Sequence, residues 1–149
     1  MSKKVKTQKN FLYEGLGFPV ILGDVAMVNV FGEWEAHINV EKVAKMAFSM
    51  LPHKPSKFTG NEIYFIRTHL KLNRREFGEL FKVSHTAVSK WEKSGNKASS
   101  ISAGNELMLR LHILDQLAPS GAKFYNSYKE ISESVYDEET SEVPLKIAV

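Results

Sequence analysis

The chain has 149 residues, 43% hydrophobic and 25% charged, with nine Gly, five Pro and no Cys. These are ordinary globular proportions. A chain of this length buries about 70% of the surface its unfolded form exposes, so its core needs no disulfide or structural metal, and the lack of cysteine excludes thiolate zinc sites, iron–sulfur clusters and cysteine nucleophiles. No run approaches the roughly 18 consecutive apolar residues of a membrane span. The lysine-rich start leads into Phe11-Leu12-Tyr13-Glu14-Gly15 rather than an apolar signal core, so a cytoplasmic location with no membrane contact is expected.

The net charge of +3 comes from 20 basic and 17 acidic residues and is unevenly placed. Lys3, Lys4, Lys6 and Lys9 give residues 1–10 a charge of +4. Nine basic against six acidic residues leave segment 59–117 at +3, and six acidic against three basic leave segment 118–149 at −3.

In chain order, Pro19-Val20-Ile21-Leu22 and Met27-Val28-Asn29-Val30-Phe31 read as two short strands with Gly23-Asp24 as the turn. Trp34, Ala36 and Ile38 alternate with Glu33, Glu35 and His37 as on a half-buried strand. From Asn39, a predicted N-cap, Val40, Val43, Ala44 and Ala47 recur at helical steps until Pro52 and Pro55 stop the helix. Segment 52–57 is the expected domain boundary. Thr59 and Glu62 then have capping-box spacing ahead of a helix over residues 60–70.

The informative stretch is 74–93. Asn73 can cap a two-turn helix burying Phe77, Leu80 and Phe81, and Ser84 can cap a second helix burying Val88 and Trp91. Only Lys82 and Val83 lie between them, and small Gly78 and Ala87 sit where the two backbones would meet. This spacing predicts a helix-turn-helix, whose second helix enters the major groove of double-stranded DNA. With Val88 and Trp91 fixed inward, His85, Thr86, Ser89 and Lys90 become the base-facing residues. Ser84 joins them at the helix start, Arg74 is expected on a phosphate, and Lys93 and Lys97 are further phosphate contacts.

These residues resemble the helix-turn-helix regulators of the Cro and lambda-repressor type. Phe77, Phe81, Val83, Val88, Trp91, Gly78, Ala87, Ser84, Ser89 and Glu92 fall where that pattern expects their types, over about residues 60–117. Lys82 stands at the turn position that is usually glycine, and Arg74 replaces a customary glutamine. A second resemblance joins Tyr13-Glu14-Gly15-Leu16-Gly17, Val20 and Leu22 to Phe58-Thr59-Gly60-Asn61-Glu62-Ile63 and Phe65-Ile66-Arg67. This pairing is similar to MqsA/YgiT-type antitoxins, whose N-terminal zinc cysteines are missing here.

The resemblances imply a mainly α (α+β) chain. A β-hairpin-plus-helix unit with a basic arm occupies residues 1–57, a lambda-repressor-like helical DNA-binding domain residues 58–118, and an acidic extension residues 119–149. They further imply a DNA-binding transcriptional regulator, an autorepressor of antitoxin type, with a toxin protein as a possible partner. The alternative is a protein-interaction module whose helix-turn-helix is scaffold.

In segment 102–117, Ser102 is a candidate N-cap and Leu107, Leu111 and Leu114 suffice to close the core. That leaves Leu109, Ile113 and Leu117 as an expected homodimer seam. Phe124, Tyr125, Tyr128 and Ile131 suggest one more short helix before the acidic tail, and Val143, Leu145, Ile147 and Val149 form an alternating end able to add to a sheet edge. Glu33, Glu35 and His37 share a strand face that could hold a divalent metal, but no second ligand pair accompanies them. No nucleophile elbow or Gly-rich phosphate loop appears, so neither an enzyme nor a cofactor or metal site is expected.

Overall fold

The computed structural model describes residues 4–117, Lys129 and residues 144–148. In chain order the elements are β1 (Val5–Tyr13), β2 (Val20–Val30), β3 (Glu33–His37), α1 (Val40–Met50), a 3-10 turn (Leu51–His53), α2 (Gly60–His69), α3 (Arg74–Glu79), α4 (His85–Glu92), α5 (Ala103–Leu117) and β4 (Leu145–Ile147). They fall into two compact units. One comprises the chain up to Ala47 together with the segment from Pro144, and the other runs from Phe48 to Val143. The expected short helix and acidic tail lie outside the described residues.

The first unit is organised by β2. Strand β1 pairs antiparallel along one edge, from Val5 opposite Val28 to Tyr13 opposite Val20. The other edge is shared, with β3 antiparallel to residues 26–30 and β4 parallel to residues 20–22. Val20 and Leu22 are buried, then Val25 and Met27, so the inward side chain changes parity across Gly23 and Asp24. Asn10, between the Lys9–Asp24 and Phe11–Leu22 pairs, has φ +53° at this step. A Cβ on Gly23 would stand 3.5 Å from the carbonyl oxygen of Ile147, so β4 runs close against a residue with no side chain.

This sheet overturns the expected fold class. The α+β part of the expectation is compatible with the four-stranded mixed sheet, but the chain is not mainly α, and a lambda-repressor-like helical domain over residues 58–118 is not shown. Gly23-Asp24 is not a turn but the interior of one 11-residue strand. Local reading split β2 because a parity change interrupts the period-2 alternation, and the strand that pairs beside it comes from the far end of the chain. The alternating end does add to the sheet, as Leu145–Ile147 in β4.

The expected strand around Trp34 is present as β3, although Trp34 itself is 38% exposed. Val30 and Glu33 pair across the β2–β3 connection, and between them Phe31 (φ +51°) and Gly32 (φ +87°) both adopt positive φ, as a two-residue hairpin loop of type I′ requires. The Asn29 side-chain oxygen accepts the Gly32 N–H at 3.1 Å. Asn39 caps α1 by accepting the Lys42 N–H at 3.1 Å.

In the second unit the start of α2 is a full capping box. The Thr59 side chain accepts from the Glu62 N–H, and the Glu62 carboxylate accepts the Thr59 N–H at 2.7 Å. Arg110 fixes the segment before α2 from below. Its guanidinium is fully buried and donates to the carbonyls of Pro52 (3.1 Å), Lys54 (2.5 Å) and Ser56 (2.6 Å), with its centre 4.4 Å from the Phe58 ring. Lys54, also buried, pairs with Glu62 at 2.7 Å. Segment 52–58 is thus held by charged groups that find backbone carbonyls or opposite charges in place of water.

Helix α5 begins as expected, with Ser102 Oγ accepting the Asn105 N–H at 3.2 Å, and Leu114 is buried and Leu117 exposed as expected, but the rest of its inward face differs. Leu109 and Ile113 are completely buried, whereas Leu107 and Leu111 are only half-buried. The expected dimer seam therefore lacks two of its three residues. What turns the helix is its charged pair, since Glu106 and Arg110 must face inward to reach segment 52–58 and carry Leu109 and Ile113 with them.

Glu106 accepts the Phe58 N–H at 2.5 Å and stands 3.9 Å from Arg110, while its second oxygen finds no hydrogen-bond partner among the described residues. Burial pushes its carboxyl above the usual range against the opposing pull of the Phe58 N–H, Arg110, Lys57 and Lys54. A raised folded-state value means that the fold binds the proton more tightly than the unfolded chain does. Stability from this group is therefore complete below the ordinary carboxylate value and is lost as pH rises through the raised one. Glu106→Gln, which keeps the acceptor for Phe58, is expected to flatten that decline in thermal melts recorded from pH 4 to 8.

Candidate nucleic-acid interface

Helices α3 and α4 are both locally encoded. Asn73 and Glu76 form a capping box at α3, with Asn73 Oδ1 accepting the Glu76 N–H at 2.8 Å and Glu76 accepting the Asn73 N–H at 3.1 Å. Ser84 Oγ accepts the Ala87 N–H at 3.2 Å at the start of α4. Between the helices, the Val83 N–H reaches back to the Gly78 carbonyl (3.0 Å) and the Lys82 N–H to the Glu79 carbonyl (3.3 Å), with Lys82 at φ +55°. This is a Schellman motif with lysine in the place glycine usually fills. Helix α2 ends in the same way, with Leu72 bonded to Arg67, Lys71 to Thr68, and Lys71 at φ +60°.

The turn is tight because Gly78 has no side chain, and a Cβ there would lie 2.6 Å from the Val83 carbonyl oxygen. Behind the turn, Phe77 and Phe81 meet edge to face at 5.2 Å, and Phe81 meets Trp91 at 5.4 Å. Leu80 departs from expectation. It is exposed at the C-cap of α3, one residue before the buried Phe81.

Within the eight residues of α4 the inward and outward sets are sharply divided. Val88, Trp91 and Glu92 are buried, while His85, Thr86, Ser89 and Lys90 are exposed, as are Ser84 just before the helix and Lys93 just after it. Thr86, Ser89, Lys90 and Lys93 recur at three- and four-residue steps and share one outward face. The Ser84 hydroxyl is engaged as the cap, and Lys97 is exposed in the loop that follows.

Arg74 has a partner that the sequence did not suggest. The buried Glu92 carboxylate accepts two bonds from Arg67, Nε to Oε2 at 2.7 Å and Nη2 to Oε1 at 3.2 Å, and a third from Arg74 Nε at 3.2 Å. Arg67 spends a further donor on the Leu72 carbonyl at 3.0 Å. The Arg74 side chain is still 47% exposed. It lines an open depression with Arg67, Asn73, Arg75 and His85. Arg75 was missed in the sequence, although its place in the first turn of α3 beside Arg74 could have indicated it.

Among the described residues no three His, Asp or Glu side chains converge as metal ligands, and no helix is long and apolar enough to cross a membrane. No protein-family model, curated protein or solved structure matches the chain.

Two stability measurements test this arrangement. Glu92→Ala leaves Arg67 buried without its counter-charge and is expected to cost about 3 kcal/mol in urea unfolding. Adding Arg67→Met recovers most of that loss. Lys82→Gly, which removes the steric penalty of a left-handed lysine, is expected to stabilise the fold by about 1 kcal/mol.

Proposed function

We propose that this protein is a duplex-DNA-binding regulator that reads base edges with the exposed side of α4. The observation that carries the reading is the division of that helix. Val88, Trp91 and Glu92 anchor it, while His85, Thr86, Ser89 and Lys90 stand in solvent as a row of hydrogen-bonding groups with Lys93 beyond them. Hydroxyl, imidazole and ammonium groups on a short, firmly held helix are suited to major-groove edges. Arg75, Lys93 and Lys97 supply charge for the phosphates, and Arg74, oriented by Glu92, adds a guanidinium beside the start of α4.

In this reading the protein acts by occupancy in the cytoplasm. The bound protein blocks transcription without catalysis, and autorepression of antitoxin type is its most specific form. Selection of bound duplexes from a random pool tests it, with enrichment of one motif as the expected result and no enrichment as the result that ends it. With the selected site in hand, His85→Ala or Thr86→Ala is expected to shift preference between bases by about tenfold at one position. Lys93→Ala should instead weaken all duplexes and flatten the logarithmic salt dependence by about one unit.

A further inference from the structure

The β2–β3 hairpin carries two costs that its own packing does not offset. Phe31 holds φ +51°, a conformation suited to glycine or asparagine and penalised for a bulky side chain. Its ring is also fully exposed, so burial returns nothing. The tip is nevertheless firmly held, by the Asn29 side chain on the Gly32 N–H and by the Val30–Glu33 pair. A strained, solvent-exposed aromatic on a braced turn is a feature of sites where the side chain is used.

The neighbouring side chains define the ligand. Residues directly opposite in antiparallel strands share a face. Lys4, whose carbonyl accepts the Asn29 N–H at 3.1 Å, therefore lies on the same side as Asn29 and its partner Trp34. Lys6, opposite Met27, is on that side too, and its Nζ stands 4.2 Å from the Trp34 ring centre. Glu33 and Glu35 alternate to the other face. The side that is buried at Met27 thus carries, toward the hairpin end, two exposed lysines and exposed Trp34 with no carboxylate among these strand positions, and Phe31 stands fully exposed at the tip. Lys4 and Lys6 are about 7 Å apart along the strand.

We propose that the hairpin is a second contact with duplex DNA, in which Phe31 wedges against base pairs in the minor groove and Lys4 and Lys6 meet the flanking phosphates. The choice of ligand rests on the function proposed above, while the surface itself is independent of α4. Apolar wedges bordered by cations are a general means of gripping and bending the minor groove.

The test uses the full chain, a selected duplex and a random-sequence duplex, with binding followed by fluorescence anisotropy over a range of salt. Phe31→Asn relieves the strain and is expected to raise the thermal midpoint by about 3 °C while weakening both duplexes by about tenfold. Lys4→Ala with Lys6→Ala should lower the salt slope by about two units. His85→Ala, by contrast, changes only the preference between duplexes. If Phe31→Asn binds as tightly as the wild type, the hairpin contact is overturned and the α4 reading stands; if the wild type binds neither duplex, both fall. A lower thermal midpoint for Phe31→Asn makes the ring structural and overturns the proposal. So does Phe31-dependent binding to poly-L-glutamate in place of DNA, which assigns the surface to an acidic protein.

Discussion

A single buried carboxylate holds the helical unit in order. Glu92 closes α4, and its two oxygens take three hydrogen bonds from Arg67 at the end of α2 and Arg74 at the start of α3. The pairing joins three helices at one point and leaves Glu92 no freedom to swing outward, so α4 cannot rotate about its axis without stranding a charge. The outward set on α4 is therefore defined twice, by apolar Val88 and Trp91 and by ionic Glu92. Close backbone approach adds to this fixity, since a Cβ on Gly60 would meet the Glu92 carbonyl oxygen at 2.5 Å.

A second charged device does comparable work away from α4. Arg110 gathers three carbonyls from segment 52–58 and leaves Glu106 close by in a setting that disfavours ionisation. Such groups contribute more to a unique arrangement than to net stability, because desolvation consumes much of what their contacts return. Apolar Leu109 and Ile113 supply burial on the same helix, and the charges determine which way that helix faces.

What the sequence disclosed divides along the range of the interactions. The caps at Asn39, Thr59, Asn73, Ser84 and Ser102 were legible because each involves partners within three residues, and the two-residue joint before Ser84 was equally local. The alternation of Trp34 and Ala36 with Glu33, Glu35 and His37 likewise disclosed β3. Long-range partners were not legible. Nothing near Arg74 announces Glu92, 18 residues on, and nothing near residues 102–117 announces that Arg110 reaches segment 52–58, which turns Leu109 and Ile113 inward. Strand β2 was divided at Gly23 for the same reason, because the chain that passes over it begins more than 100 residues later.

That late partner bears on the order in which the molecule assembles during synthesis. Strands β1, β2 and β3 and their hairpin are complete once His37 has been made, yet part of one edge of β2 stays open until residues 145–147 arrive. Throughout elongation, Val20 and Leu22 belong to a strand with unfilled backbone donors and acceptors, the kind of edge that recruits foreign strands. Loop closure across so long a separation is slow relative to hairpin formation. The sheet therefore gains this strand after the other three have paired, and until then that part of β2 is an open edge.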